Sequence, residues 1–308
     1  SYTKILSPLA GQTWHGNGAR IVTEPAYIGP WAVAVQADDV TLSGFRFTNA
    51  DVTDAISIYV ARCRGASIVG SKFTTPRAGG VHGKGDVRDL TVTGNQFTGK
   101  GYGVLMNDPE TAELVGSFGW VVSNNVFDGG GFQGDGIELN RPAVAAYDVT
   151  VTGNVVRGYA KSGEDSGFGI AASNIAHLTI SDNVVSDCER AGIHLEDDAA
   201  FVVISSNVVT GCGHAGIEAQ VSSNFTMSDV VITGNVVRGC CTAPSNGLGK
   251  AGIDVAVFYT PDVGAANRML VANNLSSGNG GHGIHAYQAN DSVFSANICA
   301  NNFGAGIN

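Results

Sequence analysis

The chain has 308 residues, a formal charge of −10, only 14% charged residues and 43 glycines. That balance argues against a nucleic-acid backbone as partner, which needs clustered Lys and Arg, and mildly against a strongly polyanionic substrate unless a cation mediates. No apolar run approaches the ~20 residues of a membrane span, and no signal peptide is visible, although a start at Ser1 is compatible with removal of one.

Residues 1–37, with Gly11-Gln-Thr-Trp14 and Ile21-Val22, read as an opening coil whose core Trp14 or Trp31 closes. From there one phrase recurs. It is clearest as Val149-Thr-Val-Thr-Gly-Asn154-Val-Val, Leu178-Thr-Ile-Ser-Asp-Asn183-Val-Val and Val202-Val-Ile-Ser-Ser-Asn207-Val-Val. The Asn place is held by Asn95, Asn125, Asn154, Asn183, Asn207, Asn235, Asn274 and Asn297. Degenerate copies put Phe45 and Ser71 there, and successive places lie 23 to 39 residues apart. A repeat in this range means a solenoid, and alternating small and β-branched residues make each unit from strands.

A second phrase follows roughly ten residues after the Asn: Asp135-Gly-Ile-Glu-Leu-Asn140, Ala191-Gly-Ile-His-Leu-Glu196 and Ala215-Gly-Ile-Glu-Ala-Gln220 are typical. Gly permits the corner and the buried Ile starts a strand. Each coil thus holds at least two strands, and the coils pile up in register as parallel strands. The chain reads as one all-β domain over 1–308, of about ten to eleven coils.

The six cysteines include Cys188, Cys212 and Cys240, each five residues after a repeat Asn. They should stack as a ladder of buried thiols; a disulfide between neighbouring rungs is the alternative. No Cys-x-x-Cys pair or Cys/His quartet suggests zinc, and no metal site is expected. The last coil stops at Gly306-Ile-Asn308 with no polar cap following, which reads as a fragment of a longer polypeptide or an end covered by a partner subunit.

Side chains alternate along a strand, so Ile193 and Leu195 point inward and His194 and Glu196 outward. The same parity gives one outward column of Ser57, His82, Leu105, Glu138, Ala171, His194, Glu218, Asp254 and His285. A second runs Tyr59, Lys84, Asn107, Asn140, Ser173, Glu196, Gln220, Ala256 and Tyr287. His194, Glu218, Asp254 and His285 form an unbroken ionisable ladder at ~4.8 Å spacing, where like charges should raise one another's pKa and keep an acid protonated. Longer inter-strand segments at 107–119, 140–148, 160–167, 220–229, 240–250 and 256–268 should wall a groove over this face. Tyr147, Phe168, Phe258, Tyr259 and Tyr287 lie on or near its walls. A merely solvated polar face is the plain alternative.

The two phrases resemble those of right-handed parallel β-helix proteins of the pectin-lyase-like superfamily, over about residues 40–308. That group includes pectate lyases, polygalacturonases, alginate epimerases and phage tailspike depolymerases. The resemblance implies a right-handed helix that binds a polysaccharide or oligosaccharide outside the cell and degrades it. For hydrolysis the expected acid and base or nucleophile are Glu218 with Asp254, or Glu196 with Glu218, tuned by His194. Glu138, Asn140, Lys84, Tyr259, His285 and Tyr287 are expected to bind substrate. No cofactor is expected, save Ca²⁺ if the enzyme is a lyase or epimerase, in which His194 or Tyr287 would be the base and Lys84 and His82 supply basic character. Glu196-Asp197-Asp198 followed by Gly213-His214 is similar to the paired Asp and later Gly-His of polygalacturonases, and makes Asp198 and His214 further candidates. Their Asn-Thr-Asp and Arg-Ile-Lys elements are missing. A carbohydrate-binding spike or adhesin without turnover is the non-enzyme reading, and the tailspike resemblance with the uncapped end raises a homotrimer as a hypothesis.

Overall fold

The computed structural model describes residues 5–23, 29–49, 55–75, 79–99, 101–107, 117–140, 146–161, 166–222, 225–243, 250–257 and 264–308. They form three parallel sheets of 13, 11 and 10 strands, with no helix among the described residues. Most coils add one strand to each sheet, and the last two put a pair of short strands into the largest, Ala265–Asn267 with Leu270–Ala272 and Ala289–Asn290 with Val293–Ser295. The first coil is made of Thr13–His15, Arg20–Thr23 and Trp31–Val35. Nine turns of chain separate the first and last of the ten strands in the third sheet, slightly fewer than the coil count expected from the repeat.

Alternation fills the lumen. Phe47, Phe73, Phe97 and Phe127 stack rung on rung, with ring centroids 4.8, 4.5 and 4.7 Å apart. Ile170, Ile193, Ile217, Ile253 and Ile284 continue the core along the ten-stranded sheet, all fully buried. Trp120 is also fully buried, and a Cβ at Gly83 would overlap its ring. Close packing at native density leaves no room there for any other residue.

The repeat Asn is a structural device. Each turns the corner between the 13- and 11-stranded sheets, after a residue with positive φ such as Gly153 (65°) or Asp182 (57°). Asn154 Oδ1 accepts from Asn125 N and Nδ2 at 3.0 Å, while Asn154 Nδ2 donates to Val122 O at 2.9 Å and Asn183 Oδ1 at 3.0 Å. The same set repeats through Asn183, Asn207, Asn235 and Asn274, and Asn297 ends the stack, accepting from Asn274 and donating to Val271 O. A buried amide needs partners for both its donors and its acceptor, and the stack supplies them from the neighbouring coils.

Cys188, Cys212 and Cys240 do stack, all three buried and unbridged. Hydrogen bonding to Cys188, together with burial, holds the Cys212 thiol well above its ordinary pKa. Asn279 and Asn302 take the same place in the next two coils, where Asn279 Nδ2 donates to Asn302 Oδ1 at 2.9 Å.

Candidate active site

The outer face of the ten-stranded sheet carries the ionisable column. Pairing puts Leu105 beside His82, Glu138 beside Leu105, Ala171 beside Glu138, and then His194, Glu218, Asp254 and His285 in unbroken order. The second column also aligns, with Ser173, Glu196 and Gln220 adjacent. The first coils differ from the expected columns. Tyr59, not Ser57, pairs with His82, and Ala61, not Tyr59, pairs with Lys84. The strand Ile56–Arg64 has no Gly-Ile to mark its start, and Ile58 rather than Ile56 is the register partner of Val81. A slip of two residues preserves the inside/outside parity and changes only the neighbours.

The column is outward but covered. His194, Glu218 and Asp254 are 4%, 2% and 2% exposed, and His285 is buried as well. This overturns the expectation that they floor an open groove. Phe168 stacks on the His194 ring with centroids 4.3 Å apart, and the Arg190 guanidinium lies 4.8 Å from the Phe168 centroid. Glu196 is the open end of the cluster, its side chain 36% exposed.

These groups bind one another. His194 Nδ1 lies 2.8 Å from Glu218 Oε2, and its Nε2 3.5 Å from Glu196 Oε2. Asp254 Oδ1 lies 2.8 Å from His285 Nδ1, and Lys250 N donates to Asp254 Oδ2 at 2.8 Å. Burial draws the His194 pKa down, but the hydrogen bonds and charges of Glu196 and Glu218 outweigh it and push it up to about 9. Burial disfavours charge on Glu218 and Glu196, yet His194 holds both below the usual carboxylate pKa. At neutral pH the trio is an imidazolium between two carboxylates. Stacked acids were expected to raise each other's pKa here; for Glu218 the histidine on the adjoining rung reverses the sign.

The raised carboxyl lies elsewhere. Asp135 is fully buried at the corner before strand Ile137–Asn140, and its Oδ1 accepts from Gly167 N and Phe168 N, both at 2.7 Å. Burial, then the hydrogen bond and charge of Glu138, hold its pKa well above the carboxylate range. The Glu138 carboxyl beside it thus favours a proton on Asp135. Glu138 is half-buried on the outer face, two rungs from His194. Asp135 was legible only as an acid at a strand end. Nothing in the sequence marked Arg190, which sits two residues before the corner glycine Gly192.

The remaining expected residues scatter. Lys84 is half-buried at the far end of the second column, and Tyr287 is exposed beyond strand His282–Ala286. Asn140 pairs with Ser173 through the backbone. Tyr259 lies outside the described residues, as does Phe258, and so do parts of the long segments expected to wall the groove. Tyr147 stacks on Phe118 at 5.1 Å in the 13-stranded sheet, away from this face. Burial draws the His82 pKa down to about 4, so His82 is neutral and supplies no positive charge. His214 precedes its strand and Asp198 follows its own, which puts them at opposite ends of adjoining strands rather than together. Among the described residues no group of three His, Cys, Asp or Glu is placed to hold a metal ion.

Comparison with known proteins agrees with this geometry. The family model described as a right-handed β-helix region matches residues 107–256. The solved structure of the Dettilon tailspike protein is 14% identical with a TM-score of 0.58, over 89% of this chain and 62% of that one. The A-module of the Azotobacter vinelandii mannuronan C-5 epimerase AlgE4 is 16% identical with a TM-score of 0.51, over 99% and 88%. The DFA-IIIase of Arthrobacter chlorophenolicus A6 is 11% identical with a TM-score of 0.56, over 86% and 67%. No curated protein matches the chain in sequence. The protein has the right-handed parallel β-helix fold. At these identities the likeness is one of fold, and a fold is not a reaction.

Proposed function

We propose that the protein binds a polysaccharide across the outer face of the ten-stranded sheet and cleaves it by acid–base chemistry, outside the cell. The observation that carries this reading is the opposed protonation of two acidic groups on one face. The Asp135–Glu138 pair holds a proton, while Glu196 is kept ionised by His194. Carboxyls whose surroundings push their pKa values apart divide naturally into acid and base. Glu138 is the general acid, drawing on the proton held by Asp135, and Glu196 is the base that activates water.

Glu138 and Glu196 stand two rungs apart and in neighbouring columns, so their backbones lie on the order of 12 Å apart. That is nearer the ~6.5–9.5 Å of an inverting pair, which leaves room for water, than the ~5–5.5 Å of a retaining one. Glu218, sealed behind His194, acts as a positioning residue: it fixes the ring that keeps Glu196 charged. Asp254 and His285 continue that support. Elimination on a uronic acid is the second reading, favoured by the imidazolium and Arg190, which keep Glu196 ionised and able to take a proton. Calcium belongs to that reading alone.

Glu138→Gln and Glu196→Gln, tested separately on a panel of neutral and acidic glycans, decide the assignment. Lost reducing-end release with retained binding supports it; undiminished release by either variant removes that residue from the chemistry. Absorbance near 235 nm, abolished by EDTA, would replace hydrolysis with calcium-assisted elimination. Binding with no cleavage by the wild type would leave a carbohydrate-recognising spike. The homotrimer is part of the same proposal, and a monomeric mass by light scattering would remove it.

A further inference from the structure

A second face carries a different feature. In the 11-stranded sheet, Arg20 pairs with Arg46 and Arg46 with Lys72, so three cations occupy one outward column in consecutive coils. All three are exposed. Beside them, Thr48, Thr74 and Thr98 form a hydroxyl column in the same register, and Arg20 Nε donates to Thr48 Oγ1 at 3.4 Å. Arg20, Arg46, Phe47, Thr48, Lys72 and Thr74 line a concavity of about 340 Å³.

The cluster is unusual for this chain. Arg64, Arg88, Arg157 and Arg268 are each paired with an aspartate, at 2.6 to 2.8 Å. Among the described residues, Arg20, Arg46 and Lys72 make no ion pair. Beyond Lys72 their column turns to Gln96 and then to Val126, Val155, Val184, Val208 and Val236, so the positive charge is confined to one end. Like charges stacked at ~4.8 Å repel unless an anion lies across them. Guanidinium and hydroxyl groups in alternate columns are the donors that carboxylates take.

We propose that this cationic ladder is a second glycan-binding site, separate from the catalytic face, which holds successive carboxylates of an acidic polysaccharide. The choice of ligand rests on the polysaccharide reading above; the existence of an anion site does not. A nucleic acid is disfavoured, because the chain as a whole carries −10 and no exposed aromatic ring lines the concavity. The ladder would hold an acidic chain near the N-terminal coils while the other face works on it.

The test is binding of a short oligogalacturonate to the full chain, followed through the amide resonances of Thr48 and Thr74. Its fully methyl-esterified counterpart and a short DNA duplex serve as comparisons. The acidic oligomer is expected to shift both resonances, and added salt to weaken it. Arg46→Ala and Lys72→Ala should each lose roughly tenfold in affinity, the scale of a charge-assisted hydrogen bond. Both side chains are exposed, so an unchanged melting temperature confirms that the variants fold. The proposal falls if the wild type shows no shift, if the variants bind equally well, if the ester binds as tightly as the acid, or if DNA binds more tightly. A wild type that cleaves no glycan but loses the oligomer on removal of both cations would sink the catalytic reading and leave this one standing. Cleavage with no shift at Thr48 and Thr74 would do the reverse.

Discussion

Glu218→Gln isolates the electrostatics of the buried trio. A histidine in an unfolded chain titrates near 6.5, and His194 in the fold near 9. The folded state holds that proton more tightly. The pairing therefore stabilises the fold in full below about pH 6.5, and the contribution fades as the pH rises toward 9. A gap of this size corresponds to about 3 kcal/mol, and with His194 and Glu218 both almost wholly buried, solvent screens little of it. The amide keeps the shape of Glu218 and removes its charge, leaving only the longer contact to Glu196 to oppose burial. His194 should then titrate at least one pH unit lower by NMR of its ring Cε1 proton. Urea unfolding followed from pH 6 to pH 9.5 should show the wild type losing about 3 kcal/mol over that window, while the variant starts less stable and changes less. The carboxylates act at the other end of the scale. Their pKa values are depressed, so their share is present above the usual carboxylate range and lost on acidification, outside the window used here. A wild-type His194 that titrates near 6.5, with stability flat from pH 6 to pH 9.5, would refute the argument.

Three further outcomes are expected. Asn183→Ala removes the acceptor of Asn154 N and Nδ2 and the donor to Val151 O, so orphaned buried groups should cost roughly 3–6 kcal/mol in a denaturant titration. Asn297→Ala, in the half-buried last rung, should cost much less. Gly192→Ala puts a Cβ 2.9 Å from Gly216 O and closer still to Val209 Cγ1, so it should lower the melting temperature by several degrees, whereas Gly239→Ala should spare packing and show only the smaller penalty of its positive φ. Asp135→Asn leaves Glu138 without the proton held by Asp135, and the alkaline limb of the pH–rate profile should move down by a unit or more; an unmoved limb would exclude the pair as the acid.

Much of this protein is written in its repeats. The Asn phrase and the Gly-Ile phrase determined parallel coils, a thiol ladder through Cys188, Cys212 and Cys240, and the order His194, Glu218, Asp254, His285 in one outward column. Those features depend on local periodicity: alternation sets the side a residue faces, and in-register stacking sets its neighbour. Where the phrase is missing, as in Ile56–Arg64, the column slipped by two residues. Tertiary structure alone decided what the column is worth chemically. Exposure depends on what lies over a side chain, and Phe168, with Arg190 against its ring, reaches His194 from a neighbouring coil. Protonation depends on the same assembly. Asp135 keeps its proton because burial and the neighbouring Glu138 carboxyl outweigh the two backbone amides that favour its charge, and Glu196 loses its own because an imidazolium is held against it. Distance, burial and partner charge set these energies together, and none of the three is a property of a residue's place in the repeat.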